Sequence, residues 1–169
     1  LPVLSTTPVS WRRLKRRGIV AFCPSSNLFL GSGLFDLPRL QFANVKVGIG
    51  TDVGAGTSLS MLQTIADAYK TQRLAGNDLS PLSGLYMATL GGAKSLDCDA
   101  DIGNFKIGKE ADFTVLDPES TPLMSYRMQN CKSLEERLAV IVLLGDDRAI
   151  LATYANGHCV HDRDIDEES

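Results

Sequence analysis

Asp52 is the residue whose type and position most clearly indicate chemistry in this sequence. It follows an apolar, β-branched run at residues 45–50 and precedes a glycine-rich turn that leads into a helix. In α/β proteins the carboxyl ends of buried strands are where sites are built, and a strand gains nothing from an unpaired carboxylate. Asp52 is therefore interpreted as a site residue, with a turn-capping aspartate as the alternative. A carboxylate there can act as a zinc ligand or as a base for metal-bound water, although it can do neither alone.

The glycine-rich segment 48–57 does not have the spacing of a nucleotide-binding loop. Counted from Gly48, the third glycine of the dinucleotide-binding motif falls on Val53, and counted from Gly54 it falls on Leu59. The segment also lacks the Gly-Lys-Ser/Thr of a P-loop. Binding of an anion at this helix start is only a weak alternative.

The remaining reactive side chains do not form a recognisable catalytic group. The two histidines, His158 and His161, would lie on opposite faces of a strand, so they could not both ligate one metal. Cys23, Ser25 and Ser26 lie near another strand end, but no histidine is placed to activate a nucleophile. Nucleophilic catalysis is therefore not expected, and the histidines are interpreted as surface residues of an edge strand.

A strand, a helix and a second strand position Asp52. Residues 19–23 form a continuous apolar run stopped by Pro24, which is typical of a fully buried parallel strand, and residues 24–27 are expected to be a loop. Asp36 begins a helix, and the second buried strand follows at residues 45–50. This βαβ order predicts parallel strands.

Capping residues predict further helices, which begin at Ser10, at Thr57 or Ser58, at Ser80 and at Ser133. The first carries a basic face, interpreted as a solvated surface and not as a phosphate-binding patch. Gly91-Gly92 is expected to end the third, and Glu136 completes a capping box for the fourth, helix 133–144.

The last third of the chain indicates a different kind of structure. Residues 102–117 alternate turn glycines with short β-like runs, which is typical of an antiparallel element. Asn156-Gly157 lies between two apolar runs and is a strong hairpin signal. The acidic tail 163–169 is expected to be disordered.

Composition limits the class of protein. With 169 residues the chain has room for roughly one domain, and its net charge of −3 gives no electrostatic reason to expect nucleic acid as a partner. No apolar run approaches the ~20 residues that a membrane span requires, and no signal pattern begins the sequence. The four cysteines are far apart and are expected to be reduced thiols. A cytoplasmic protein is the resulting expectation.

Several blocks of the sequence resemble the C-terminal part of guanine deaminase, a family of the amidohydrolase superfamily. They are residues 22–36, 48–63, 88–93, 102–113 and 144–148. Gly-Thr-Asp at 50–52 and Gly-Lys-Glu-Ala-Asp-Phe at 108–113 are shared by many amidohydrolases, whereas the run from Asp52 to Gln63 indicates the guanine branch. The resemblance extends from about Trp11 to His161.

This resemblance implies a zinc-dependent enzyme that hydrolyses guanine to xanthine and ammonia. The implied fold is α/β: residues 1–96 form the last two βα units of an incomplete (β/α)₈ barrel, and residues 97–162 form the C-terminal part of a small β-sandwich. Asp52 matches the family's aspartate after the last barrel strand, which is a zinc ligand and helps to handle the proton of the attacking water. Guanine is the implied substrate and Zn²⁺ the implied cofactor.

The resemblance also implies ligands that this sequence lacks. The family's His-x-His pair, its two further histidine ligands and its catalytic glutamate belong to segments absent here, and residues 1–9 contain no histidine. A zinc site needs about three protein ligands or more, so the isolated chain is predicted to be inactive. The alternative is a non-catalytic scaffold or interaction protein derived from an amidohydrolase. Open sheet edges are expected to favour association into homo-oligomers.

Overall fold

The structure is a computed structural model that describes residues 18–166. The strands are β1 (Ile19–Phe22), β2 (Lys46–Ile49), β3 (Phe113–Leu116), β4 (Ile150–Ala155) and β5 (His158–Asp162). The helices are α1 (Pro24–Phe29), α2 (Leu37–Phe42), α3 (Met61–Leu74), α4 (Pro81–Ala88), α5 (Leu90–Ser95), α6 (Pro122–Met128), α7 (Leu134–Leu144) and α8 (Arg163–Asp166). The helix predicted to begin at Ser10 lies outside the described residues.

The parallel pair of β1 and β2 is the framework of the first half of the chain. Their register runs from Ile19 opposite Lys46 to Phe22 opposite Ile49, so both strands end at the same edge. The predicted parallel βαβ arrangement is therefore confirmed. The prediction that β1 is fully buried is wrong: Phe22 is buried, but Ile19 is 47% exposed. Within residues 18–166 no further strand flanks this pair, so much of its surface stays open to water.

An aromatic stack anchors this pair to the helices. Phe22 is 1% exposed, and its ring lies against that of Phe35, with centroids 4.4 Å apart and planes inclined by 11°. The buried side chains packed in the same cluster are Leu37, Ala68, Leu79 and Met87. Helix α5 covers β2 closely, because a Cβ on Gly48 would lie 3.4 Å from the Cα of Gly92.

A second core joins α3 to the C-terminal half. Its buried side chains are Leu62, Met124, Met128, Val140 and Ala149. Strands β3, β4 and β5 form an antiparallel sheet in that order, and β4 and β5 are joined by Asn156-Gly157. Both turn residues have positive φ (48° and 76°), as a two-residue type I′ hairpin requires. The predicted hairpin is thus confirmed.

The antiparallel element predicted over residues 102–117 is only partly present. Phe113–Leu116 forms a strand that pairs with β4, whereas the preceding residues form turns. Gly103 and Gly108 have φ of 94° and 93°, which a regular strand excludes. The ammonium group of Lys109 binds the carbonyl oxygens of Asp99 and Ile102, so these carbonyls are satisfied within the loop.

Several predicted helix starts are confirmed by their caps. The side chains of Asp36, Ser80 and Ser133 each accept a hydrogen bond from the backbone N–H three residues later. The Glu136 carboxylate accepts from the N–H of Lys132, next to the helix start. Helix α7 ends at Leu144, as predicted, and Gly145 follows it.

Other helix boundaries differ from the predictions. Residues 24–27 belong to helix α1, because Pro24 at a first helical position suits a helix start as well as a strand end. Ser60 caps α3, since the Ser58 hydroxyl instead accepts from the Ser60 N–H. Gly91-Gly92 does not end a helix but lies within α5, where it allows the close packing on Tyr86 and β2.

The predicted disorder of residues 163–169 is wrong for their first part. Residues 163–166 form a helical turn, and residues 167–169 lie outside the described chain. The Arg163 guanidinium donates to the Asp117 carboxylate at 3.3 Å and to the Arg148 carbonyl at 2.7 Å. These contacts tie the turn to β3 and to the start of β4. No helix within residues 18–166 has the length and apolar character needed to cross a bilayer.

Replacing Phe22 with alanine tests the importance of the aromatic stack. Phe22→Ala is expected to lower the free energy of unfolding by about 3–5 kcal/mol, because it removes a fully buried ring and leaves a cavity. Urea denaturation followed by circular dichroism measures the change. The matched control is Phe42→Ala, at a ring that is 93% exposed, and its effect should stay within about 0.5 kcal/mol. Equal effects of the two substitutions would contradict the assignment of the core.

Candidate functional site

The ends of β1 and β2 bring together Cys23, Ser26 and Asp52. Beyond the last pair of the sheet, the N–H of Gly50 still donates to the carbonyl of Phe22 at 3.0 Å, so the two chains leave the sheet side by side. A Cβ on Gly50 would lie 3.4 Å from the Cys23 Sγ, which shows how closely the chains pass. Helix α1 then carries Ser26 toward the turn that holds Asp52.

The glycine-rich turn presents Asp52 at the protein surface. Asp52 has φ of 49°, in the left-handed region that aspartate tolerates better than most residues. Its carbonyl accepts hydrogen bonds from the N–H groups of Ala55 (3.2 Å) and Gly56 (2.5 Å). A Cβ on Gly56 would lie 1.8 Å from the Thr51 carbonyl oxygen, so only glycine fits there. The glycines therefore shape the turn around Asp52.

The Asp52 carboxylate is bonded to another element and not to its own turn. The Ser26 hydroxyl donates to Asp52 Oδ2 at 2.6 Å, a short distance typical of a hydrogen bond to a charged acceptor. Within the described residues, no backbone N–H donates to this carboxylate. The alternative prediction, that the Asp52 side chain caps its own turn, is therefore wrong.

In the sequence, Ser26 is considered only as a nucleophile, and its hydrogen bond to Asp52 is not predicted. The Ser26 side chain is 3% exposed, and its hydroxyl proton is committed to the carboxylate. The signal that could have revealed the pair is topological: both residues follow the carboxyl ends of strands predicted to be parallel neighbours, and such ends meet at one edge of a sheet.

Cys23 is a neutral thiol beside this pair. Its pKa is raised above the ordinary value, first by burial and second by the negative charge of Asp52. The thiolate is the reactive form of cysteine, so the raised pKa disfavours Cys23 as a nucleophile.

The described residues fit one ligand of a zinc site and not a complete one. Within residues 18–166, no group of three or more His, Cys, Asp or Glu side chains is close enough to hold a metal. Asp52 is exposed and offers a carboxylate, an oxygen donor that zinc accepts. The other ligands that zinc requires are not supplied by this part of the chain.

The histidines lie in the other sheet. Both are on β5, which is an edge strand, as predicted; His158 is exposed and His161 is partly buried. Their predicted placement on opposite faces is wrong, because a register shift lets them pair with Ala155 and Thr153, which share one face of β4. They do not approach Asp52 to form a metal-binding group.

One cleft of the described structure lies away from Asp52. It has a volume of about 690 Å³ and includes Val45, Lys46 and Val47 at the beginning of β2, whereas Asp52 follows the end of this strand. Tyr86, Met87 and Lys94 line it from the helical side. The cleft and the Asp52 site are therefore separate features.

The sequence matches the family model described as "Amidohydrolase family" over residues 3–160. It is 53% identical over 154 residues to the guanine deaminase of Escherichia coli K12, a match that covers 90% of this chain and 35% of that protein. The structure of E. coli guanine deaminase superposes with a TM-score of 0.91, at 52% identity, covering 94% of this chain and 37% of that chain. The chain thus spans about a third of the length of this relative.

More distant solved structures have the same fold. The guanine deaminase of C. acetobutylicum, solved with bound guanine, matches with a TM-score of 0.75 at 27% identity, covering 93% of this chain and 37% of that one. An adenosine deaminase of Xanthomonas campestris, solved with bound zinc, also has a TM-score of 0.75 and 27% identity, covering 94% of this chain and 36% of that one. The predicted family is confirmed by these matches: the chain belongs to the amidohydrolase family.

Proposed function

We propose that this chain is the C-terminal part of a zinc-dependent guanine deaminase, an enzyme that converts guanine and water to xanthine and ammonia. The observation that carries the proposal is Asp52, presented at the joined ends of two parallel strands within a segment 53% identical to E. coli guanine deaminase. The aligned region covers 90% of this chain. It therefore includes most of the fold together with the turn around Asp52.

Guanine is favoured over adenosine as the substrate. The structural matches to a guanine deaminase and to an adenosine deaminase are equal at 27% identity, so the fold alone does not discriminate between them. The much higher identity to E. coli guanine deaminase, together with the run from Asp52 to Gln63, supports the guanine branch.

The fold supports a division of the chain into two parts. In the proposal, the barrel part predicted over residues 1–96, of which residues 18–96 are described, supplies the last two βα units of a (β/α)₈ barrel. The parallel pair β1–β2 is consistent with this. Residues 97–162 form a segment of the β-sandwich, to which the antiparallel sheet β3–β4–β5 corresponds. The site then lies at the carboxyl ends of the barrel strands, where barrel enzymes place their chemistry.

Within this enzyme, Asp52 would be the zinc ligand and proton acceptor supplied by this part of the chain. Zinc, when bound, makes water nucleophilic near neutral pH. Asp52 Oδ1 receives no hydrogen bond from the described residues, so this oxygen is the one available for ligation or for holding a proton. The Ser26 hydroxyl donates a hydrogen bond to the other oxygen, Oδ2. The Cys23 thiol is neutral and adds no second negative charge beside Asp52.

The isolated chain is expected to be inactive, because it supplies one ligand where zinc needs about three or more. The measurement is ammonia release from guanine by the purified chain with added Zn²⁺. No release above background is expected. Turnover that disappears in Asp52→Asn would show that the chain completes the site by itself and would contradict this prediction.

A chimera tests the proposed activity directly. This chain replaces the corresponding third of E. coli guanine deaminase, which supplies the remaining two thirds. We expect the chimera to release ammonia from guanine, and Asp52→Asn to reduce kcat by at least about a hundredfold, since it removes a metal ligand. The matched control is Asp78→Asn, at an exposed carboxylate paired with Arg73, which should retain activity. A chimera that folds and binds zinc but does not deaminate guanine would overturn the proposal.

A second candidate function, a non-catalytic interaction protein, is favoured by one observation. Large apolar side chains are exposed on several elements: Phe29, Phe42, Leu59, Phe105 and Ile107. Exposed apolar surface of this kind, together with the open edges of the β1–β2 pair, is typical of a protein that binds another chain.

The exposed apolar surface also predicts self-association. The purified chain is expected to form oligomers whose proportion rises with concentration, as measured by size-exclusion chromatography with light scattering. Phe42→Ser should shift the distribution toward monomer, because it removes a ring that is almost entirely exposed. A monodisperse monomer with a cooperative thermal transition across the concentration range would contradict the prediction.

A further inference from the structure

The hydrogen bond between Ser26 and Asp52 joins a fixed element to an exposed one. Ser26 is 3% exposed in helix α1, and its neighbours Pro24 and Ser25 are also buried. The helix starts directly at the end of β1, where the N–H of Asn27 bonds the carbonyl of Cys23. Asp52, by contrast, lies on an exposed turn. The position of Ser26 is therefore set by packing, and the Ser26 hydroxyl holds the exposed carboxylate to this helix.

Without such a partner, the Asp52 carboxylate would have no fixed orientation. An exposed aspartate side chain exchanges among staggered χ1 rotamers, and its terminal torsion has a broad energy profile, so the carboxylate samples many orientations. Within residues 18–166 the bond from Ser26 is the side-chain hydrogen bond that the structure gives to this carboxylate. Because this bond engages Oδ2, it distinguishes the two oxygens and leaves Oδ1 without a hydrogen-bond donor among residues 18–166.

We propose that Ser26 is a positioning residue of the deaminase site, which fixes the rotamer of Asp52 and directs Oδ1 to the reacting groups. This inference rests on the proposed function, since it gives Asp52 a role in that site. Ser26 does not touch the substrate; it acts through the carboxylate. Partners of this kind hold metal-binding side chains in their productive geometry, and their loss usually costs about 10–100-fold in affinity or activity.

The helix offers a matched control for this role. Ser25 lies beside Ser26, is likewise buried (6% exposed), and has a hydroxyl of the same size, but its hydroxyl does not bond Asp52. Ser25→Ala and Ser26→Ala therefore remove the same atom from the same buried helix. A purely structural role for the serine hydroxyls predicts similar effects of the two changes, whereas a positioning role predicts an effect on Asp52 from Ser26→Ala alone.

The rotamer of Asp52 can be measured in the full chain without any activity. Three-bond NMR couplings from the Asp52 Cγ to its backbone nitrogen and carbonyl carbon report χ1. We expect values of a single rotamer in the wild-type chain and in Ser25→Ala, and averaged values in Ser26→Ala. Ser26→Thr, which keeps the hydroxyl, should restore the single rotamer. Should Ser26→Ala fail to fold, Ser26→Cys keeps the volume with a much weaker donor and should give averaged couplings.

The chimera with E. coli guanine deaminase supplies the functional readout. Ser26→Ala should lower kcat about 10–100-fold with KM for guanine little changed, and Ser26→Thr should recover most of the loss. Unchanged Asp52 couplings in a folded Ser26→Ala chain would overturn the positioning role, as would an equal change in Ser25→Ala. An inactive wild-type chimera would instead count against the proposed function, while the couplings would still decide the role of Ser26.

Discussion

The parallel pairing of β1 and β2 is the constraint on which the site depends. Parallel strands end at the same edge, so residues that follow them become neighbours although 26 positions separate Ser26 from Asp52. An antiparallel pair of the same strands would place these residues at opposite ends. The stack of Phe22 on Phe35 and the packing of α5 on β2 hold the pair in place, and thereby also hold the two chains that leave it.

Asp52 occupies a backbone conformation that stores some strain. A left-handed conformation costs an L-residue roughly 1–2 kcal/mol, and it persists only where neighbouring contacts require it. Here the turn is closed by hydrogen bonds from Ala55 and Gly56 to the Asp52 carbonyl, and the crowding at Gly56 admits no side chain. The same turn that makes the strand end sharply also turns the carboxylate toward Ser26. Local strain and the placement of the reactive group thus have one origin.

The sequence predicted the features that depend on local patterns. Caps at Asp36, Ser80 and Ser133 and the Asn156-Gly157 hairpin follow from side chains that bond their own backbone or accept positive φ. The failures depend on contacts between distant residues.

The exposure of β1, the register shift in β5 and the ordering of residues 163–166 by Asp117 could not be deduced from neighbouring residues. The hydrogen bond from Ser26 to Asp52 also joins residues distant in the sequence. It is therefore not predicted, although the parallel pairing of the two strands is.

The proposed zinc site would need the exclusion of water as well as further ligands. Fixed charges and dipoles act strongly on a reaction only where water is excluded, because water weakens Coulomb interactions by more than a factor of ten relative to a dry interior, roughly ε 80 against ε 4. Asp52 is exposed in this chain, and β1 is open on part of its surface. In the proposed site, further polypeptide would have to approach this edge of the β1–β2 pair to supply more zinc ligands, and its approach would bury surface around Asp52. The proposed zinc site would therefore gain its further ligands and its protection from water through the same contact.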